Sequence, residues 1–177
     1  MYAGDSKLYL PVENIDLLTR YGTDGDGVQL DRLGGAAWQG RKAKAKLRPA
    51  LAPANVAQTD AAGVTVIVAQ DTRFYEHLPT QFPAFDVKPM FEANAAMVEA
   101  TAARNSSLQG AYLILAARAL GLDCGPQSGF NPQVVNEAFF PDGRYQVNFI
   151  VNLGVADPAG IYPRGPRLAF DDVAQII

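Results

Sequence analysis

Two runs of mainly β-branched apolar residues predict strands that are buried on both faces of a sheet. They cover residues 63–69 and 146–154, and glycine and aspartate bound the first of them. Between them, residues 94–120 carry apolar side chains at 3.6-residue spacing, which predicts one long helix that stops at Gly121. Because its many alanines permit close packing, this helix is expected to be central rather than on the surface.

Shorter patterns complete a domain of mixed helix and strand from Leu47 onward. Residues 47–58 predict a helix interrupted by Pro53, and Asn131 followed by Pro132 predicts a short helix through Phe139. Residues 71–90 are rich in proline, phenylalanine and charge, which predicts an excursion from the sheet. Residues 122–130 are predicted to form a turn after the long helix, because glycine and proline are concentrated there.

The first 46 residues differ from the rest in their pattern of polar and apolar residues. Residues 7–12 predict a short strand, 22–27 a turn, and 31–46 a short helix with a basic end. The Asp-Gly-Asp-Gly turn lacks the further acidic ligands of a calcium loop, so we interpret it as a turn only. The basic residues are Arg41, Lys42, Lys44 and Lys46. They complement the dipole of the helix, which favours a solvated helix end over a polyanion site.

Composition narrows the class of protein. With 177 residues the chain has room for one well-packed domain, and a net charge of −3 argues against bulk binding of nucleic acid. The single cysteine, Cys124, and single histidine, His77, exclude a disulfide framework and the usual four-ligand zinc clusters. No apolar run approaches the roughly 20 residues that span a bilayer, and the first residues lack a signal-peptide pattern. The expectation is a soluble cytoplasmic protein with no metal site.

Candidate binding residues lie in two places. The turn formed by Gly125, Pro126, Gln127, Ser128 and Gly129 brings backbone N–H groups and one hydroxyl to the surface, where a flat ring can approach closely. Arg164 and Arg167 present two guanidinium groups to a phosphate. An ordinary loop and a solvated arginine pair are the alternatives. His77 has no evident serine or aspartate partner, which favours a surface or lid histidine, and no residue is assigned as a catalytic acid or base.

From residue 47 to the end, the chain resembles the flavin-dependent nitroreductase family. The resemblance is carried by residues 74–79, 104–109, 117–123, 166–168 and the Gly-Pro-x-Ser-Gly-Phe motif at 125–130. Within that family, the chain is most similar to the branch that contains malonic semialdehyde reductases of pyrimidine breakdown. This implies an α+β sandwich, a homodimer, FMN at the dimer interface with the 125–129 turn against the flavin ring, and the late arginines near the phosphate. It also implies NADPH or NADH as hydride donor and a small carbonyl substrate.

Residues 2–46 do not resemble the start of that family, where an arginine that binds the FMN phosphate is expected. They resemble the end of the RNA polymerase-interacting module of the bacterial transcription-repair coupling factor. The sequence therefore predicts two parts, 1–46 and 47–177, the second a nitroreductase-like sandwich incomplete at its N-terminus. Impaired activity is expected, and the alternative function is an RNA polymerase-binding fragment acting through residues 1–46.

Overall fold

The computed structural model describes residues 28–30, 35–38 and 41–177. The strand predicted at 7–12, the turn at 22–27 and most of the segment that resembles the polymerase-interacting module lie outside these residues. The boundary predicted between residues 46 and 47 stays a prediction, although described strands from before it join the same sheet as those after it.

The described strands form one antiparallel sheet in the order β1-β2-β3-β5-β4. They are β1 (Val28–Leu30), β2 (Gly35–Trp38), β3 (Val64–Asp71), β4 (Asp123–Gln127) and β5 (Tyr145–Gly154). The central pair β3 and β5 runs in register from Val64 opposite Leu153 to Asp71 opposite Tyr145, with an irregularity after Val68. Both strands were predicted from the sequence and are confirmed, since β-branched residues covered on both faces favour this conformation.

The helices cover both faces of this sheet. They are α1 (Arg41–Leu47), α2 (Pro53–Ala61), α3 (Leu78–Gln81), α4 (Lys88–Glu92), α5 (Ala95–Ala119), α6 (Pro132–Phe139) and α7 (Phe170–Val173), with short 3-10 turns at Arg48–Ala50, Phe74–His77 and Pro158–Gly160. The long predicted helix is confirmed as α5. Its first turn is capped by Asn94, whose side chain accepts from the Met97 N–H, and Gly121 follows it with φ 82°. The predicted helix through Phe139 is confirmed as α6.

Alternating side chains of the central strands build two cores, one on each side of the sheet. Val66 and Val68 of β3 pack towards α5, where Ala117 is buried. Ile67 and Ile150 face the other way and pack against Val135 of α6 and the end of α1. The resulting arrangement of helices on both faces of a sheet is the α+β sandwich that the sequence predicted.

The extents predicted for two helices were wrong. Residues 35–38 form β2 rather than helix, because pairing with β3, from Gly35 opposite Val68 to Trp38 opposite Thr65, satisfies the free edge of the sheet. Among the described residues of the predicted 31–46 helix, those from Arg41 onward are helical and belong to α1 (Arg41–Leu47). The predicted 47–58 helix is divided into a 3-10 turn and α2, which begins at Pro53, where the missing N–H costs nothing in the first turn.

The burial of α5 also differs from the expectation. One face lies on the sheet, with Ala102, Ser106, Gly110 and Ala117 buried. On the other face, the side chains of Leu108, Tyr112 and Leu115 are 53%, 61% and 65% exposed. The prediction of a central helix is therefore wrong for a single chain, in which α5 is covered on one side only.

Candidate functional site

The predicted binding turn begins as a strand. Gly125, Pro126 and Gln127 belong to β4, at the edge of the sheet, where Gly125 lies opposite Asn152 and Gln127 opposite Ile150. Proline has no N–H and is tolerated in a strand only where that position faces the unpaired side. The prediction of a turn is therefore wrong for these three residues, because pairing with β5 extends the ladder up to Gln127.

Ser128 and Gly129 follow the strand, and they carry the hydrogen-bond donors of this segment that have no protein partner. The Gly129 carbonyl accepts from the Ala52 N–H at 2.9 Å and from Asn55 Nδ2 at 2.9 Å. The Ser128 carbonyl accepts from the Phe130 N–H at 3.0 Å. Among the residues that the structure describes, the N–H groups of Ser128 and Gly129 and the Ser128 hydroxyl have no protein partner. Two backbone donors and one hydroxyl are thus available to a ligand at the end of β4.

The structure gives Gly129 a reason to be glycine that the sequence did not reveal. Its φ is not positive, so the conformation itself does not require glycine. A Cβ atom there would lie 2.5 Å from Asn55 Nδ2 and 3.5 Å from the Ala52 Cβ. The space beside Gly129 is filled by the start of α2. At Gly125, by contrast, a Cβ would lie 3.7 Å from the Asn152 Cβ, an ordinary contact.

The Gln127 side chain points into the protein. It is buried, at 9% exposed, and its Nε2 donates to the Thr59 hydroxyl of α2 at 2.9 Å. Gln127 therefore belongs to the segment through its backbone position, while its amide group bonds to protein partners.

Arg164 and Arg167 lie in the exposed segment after β5. The Arg167 guanidinium donates to the Gly165 carbonyl at 3.1 Å, two residues away. In the described part of the chain, no hydrogen bond or ion pair joins either arginine to β4 or to Ser128. The seven predicted site residues therefore fall into two groups: five at the end of β4 and two in the C-terminal segment.

Contacts within the chain are made by Lys44 and Lys46 of the basic run and by Arg48, which follows it. Lys44 donates to the Ala62 and Asp60 carbonyls at the end of α2, and burial lowers its pKa. The Lys46 ammonium lies 5.0 Å from the centre of the Phe139 ring. Arg48 pairs with Asp60 at 3.4 Å. The prediction of a simply solvated helix end needs correction, since Lys44 caps a neighbouring helix.

Asn148 supplies protein partners for the polar residues inside α5. Its Nδ2 donates to the Ser106 hydroxyl at 2.6 Å and to the Ser107 hydroxyl at 2.9 Å. Opposite Asn148, β3 passes from Val68 to Ala69, so Asn148 is the extra residue of the irregularity in β5. Ser106 is buried, and this hydrogen bond satisfies its hydroxyl within the protein.

A charged cluster around Arg144 was not predicted from the sequence. Its guanidinium donates to Asp71 at 3.0 Å and to Glu76 at 2.8 Å, and lies 3.0 Å from His77 Nε2. Burial disfavours the charged form, but the hydrogen bond and charge of Asp71 and the hydrogen bond to Glu76 raise the pKa of Arg144 overall. The His77 side chain is 59% exposed, which confirms the prediction of a surface histidine. The cluster joins the end of β3 to the approach to β5 and holds the first turn of the 71–90 excursion.

Cys124 of β4 is a half-buried thiol. It lies 3.8 Å from the Ile114 carbonyl of α5, and burial raises its pKa. Cys124 packs between β4 and α5, and a raised pKa makes a thiol a weaker nucleophile.

Neither a membrane span nor a metal cluster is found in the described ranges. No helix among residues 41–177 combines the length and hydropathy needed to cross a membrane. In the part of the chain that the structure describes, no three His, Cys, Asp or Glu residues are grouped so as to hold a metal ion.

Sequence relatives identify the class of protein. No protein-family model matches the chain. A protein from Burkholderia lata is 59% identical over 135 residues, which cover 76% of this chain and 69% of the relative. A protein from Polynucleobacter asymbioticus is 54% identical over 134 residues, covering 76% and 68%. Both are named putative NADH dehydrogenase/NAD(P)H nitroreductase.

Solved structures share the fold. A nitroreductase from Bacillus subtilis superposes with a TM-score of 0.73 at 16% identity, over 94% of this chain and 99% of that one. A nitroreductase from Exiguobacterium sibiricum, solved in complex with FMN, has a TM-score of 0.70 at 22% identity, over 98% and 90%. The fold and the sequence relatives thus define an oxidoreductase class. The chain belongs to the nitroreductase family.

Proposed function

We propose that the protein is an FMN-dependent oxidoreductase that uses NADPH or NADH to reduce a small carbonyl substrate. Malonic semialdehyde, reduced to 3-hydroxypropanoate, is the substrate we propose. Membership of the nitroreductase family supports the reaction class. The observation that carries the site is the pair of unpartnered N–H groups at Ser128 and Gly129, at the end of β4.

The donors at the end of β4 fit a flavin ring. The isoalloxazine edge offers nitrogen and oxygen acceptors, and two adjacent backbone N–H groups with a hydroxyl match such an edge without a bulky side chain above them. The exposed guanidinium groups of Arg164 and Arg167 suit a phosphate, which they bind as paired planar donors. FMN bound there would supply the hydride-carrying chemistry that the amino-acid side chains lack.

The proposed reaction is balanced by one hydride and one proton. Reduction of the aldehyde would add one hydride, derived from NAD(P)H, to the carbonyl carbon and one proton to the carbonyl oxygen, and FMN would supply the hydride-carrying chemistry. In this scheme the residues at the end of β4 bind the flavin and orient it. No side chain is assigned as the catalytic acid, and solvent supplies the proton.

We also propose a cytoplasmic homodimer. The exposed face of α5, with Leu108, Tyr112 and Leu115, supports this assembly. So does the C-terminal segment after β5, whose large apolar side chains are exposed in the single chain: Ile161, Tyr162, Leu168, Phe170, Val173, Ile176 and Ile177. Apolar surface of this extent is usually covered by a partner. Light scattering should give a mass of twice 19.0 kDa, and a clean monomer at micromolar concentration would contradict the assembly.

The alternative of an RNA polymerase-binding fragment has no supporting observation among the described residues. The described strands of its segment, β1 and β2, pair in succession onto β3 of the oxidoreductase sheet. We therefore keep residues 47–177 as the proposed flavin-binding part and make no second functional proposal.

Flavin titration and substrate turnover test the function separately. The purified full chain is titrated with FMN while the quenching of flavin fluorescence is followed, and saturable binding is expected. NADPH and NADH oxidation at saturating FMN is then measured with and without malonic semialdehyde. A chain that binds no FMN would overturn the proposed function, whereas FMN binding without aldehyde-dependent oxidation would refute only the substrate.

A further inference from the structure

Four polar side chains are buried together between α2 and the sheet. The exposed fractions are 0% for Thr59, 1% for Thr65, 7% for Asn152 and 9% for Gln127. Buried polar groups cost about 1–3 kcal/mol each when they lack partners, so such a group is retained only if its hydrogen bonds are satisfied.

The hydroxyl of Thr59 is the centre of this group. It accepts from Gln127 Nε2 at 2.9 Å and from Asn152 Nδ2 at 3.1 Å. On the side away from β4, the Thr65 hydroxyl donates to Asn152 Oδ1 at 2.8 Å. A single oxygen of α2 therefore joins the side chains of β4 and β5.

From Gln127, hydrogen bonds continue along α2 to the binding segment. Gln58 Nε2 donates to Gln127 Oε1 at 3.1 Å and to Asn55 Oδ1 at 2.8 Å. Asn55 Nδ2 donates in turn to the Gly129 carbonyl at 2.9 Å. One helix thus holds the segment at two points, Gln127 and Gly129.

Ser128 lies between these two points. Gln127 is fixed through its side chain, and Gly129 is fixed through its carbonyl. The N–H groups of Ser128 and Gly129 have no partner in the described chain. Fixing both flanking residues limits the rotation of the intervening peptides. The direction of the two open donors is therefore set from the buried side by α2.

We infer that Thr59 is a positioning residue for the flavin, acting through Gln127 on the donors of Ser128 and Gly129. Thr59 itself is fully buried and reaches the segment only through the Gln127 amide. Donors held in one orientation bind a ligand without first losing conformational freedom. This inference rests on the proposed function.

The test compares three variants of the full chain by FMN titration. Thr59→Val keeps the shape of the side chain and removes the acceptor of Gln127, and we expect the dissociation constant for FMN to rise about 10-fold. Thr59→Ser restores the hydroxyl and should bind within about 2-fold of the natural chain. Thr65→Val is the matched control, because it removes a buried hydroxyl that donates to Asn152 and not to Gln127. The affinity of this variant for FMN should also stay within about 2-fold of the natural chain.

Conformational stability is measured on the same variants by urea unfolding without FMN. Equal loss of affinity in Thr59→Val and Thr65→Val would assign Thr59 a merely structural role and overturn the inference. Unchanged affinity in Thr59→Val would overturn it too, while leaving the proposed function intact. If Thr59→Val does not fold, Gln127→Met removes the amide through which Thr59 acts, and wild-type affinity in that variant would contradict the inference. An unmutated chain that binds no FMN refutes both proposals.

Discussion

Gly129→Ala and Gly125→Ala form a matched pair, because each adds one methyl group to the segment proposed to bind the flavin. The sequence alone predicts that Gly129 serves close approach of a ligand, so that a larger residue there removes FMN without affecting the fold. The structure places Asn55 and Ala52 of the α2 region at that position instead. The two explanations differ in what happens to the protein without FMN.

The magnitude for Gly129→Ala follows from its neighbours. A Cβ atom 2.5 Å from Asn55 Nδ2 forces that side chain to move, which breaks its hydrogen bond to the Gly129 carbonyl and disturbs the one from Gln58. Two hydrogen bonds at about 0.5–1.5 kcal/mol each give an expected loss of about 1–3 kcal/mol in the free energy of unfolding. At Gly125 the added methyl makes an ordinary contact and reduces backbone freedom in the unfolded chain. We expect no loss, or a gain of about 0.5 kcal/mol.

Urea unfolding of the FMN-free proteins measures both values. A loss of about 1–3 kcal/mol corresponds to a fall of roughly 2–12 °C in Tm for a chain of this size, well above experimental error. The reasoning is refuted if FMN-free Gly129→Ala is as stable as the natural protein and has lost only its flavin. It is also refuted if Gly125→Ala is the less stable of the two.

Four further predictions concern stability and assembly. Arg144→Met removes the partner of Asp71 and Glu76, and thermal unfolding should show a loss of about 3 kcal/mol, whereas a loss below about 0.5 kcal/mol would contradict a structural cluster. Gly110→Ala places a methyl against the Phe149 ring and should cost about 1–3 kcal/mol; an unchanged urea midpoint would contradict this. Tyr112→Glu on the exposed face of α5 should convert the proposed dimer to monomer in light scattering, and a persistent dimer would place the interface elsewhere. Hydrogen bonds from the Ala156 N–H and Arg118 lower the pKa of Asp123, so the stability that this carboxylate contributes is present above its unfolded pKa of about 4 and is lost as pH falls through the lower folded value. Asp123→Asn should therefore weaken the dependence of urea unfolding on acid pH. The same pH dependence in the variant and the natural chain would contradict this prediction.

Local patterns predicted the elements whose conformation depends on neighbours in sequence. The strands β3 and β5 follow from runs of β-branched residues, α5 from apolar spacing with a stop at Gly121, and α6 from Asn131 followed by Pro132. The family resemblance followed from short motifs in the same way, and the sequence relatives confirm the family. These features need no knowledge of which strands are neighbours.

The predictions that failed concern residues whose partners are distant in sequence. Residues 35–38 become β2 because β3 offers an unpaired edge, and 125–127 become β4 because they pair with β5. The sequence placed Gln127 among the candidate residues, but nothing near it indicates that its amide bonds to Thr59. The Arg144 cluster was missed because its acidic partners lie about 70 positions earlier.

The amino-acid sequence by itself determined the family, the two central strands and the long helix, since composition and local spacing encode them. Only the tertiary structure decided which groups of the 125–129 segment are held by protein and which remain open. Thr59 and Gln127 are 68 positions apart, and their hydrogen bond exists only after β3, β5 and α2 have packed together. Hydrogen bonds of this kind depend on packing over long sequence separations, which no local pattern specifies.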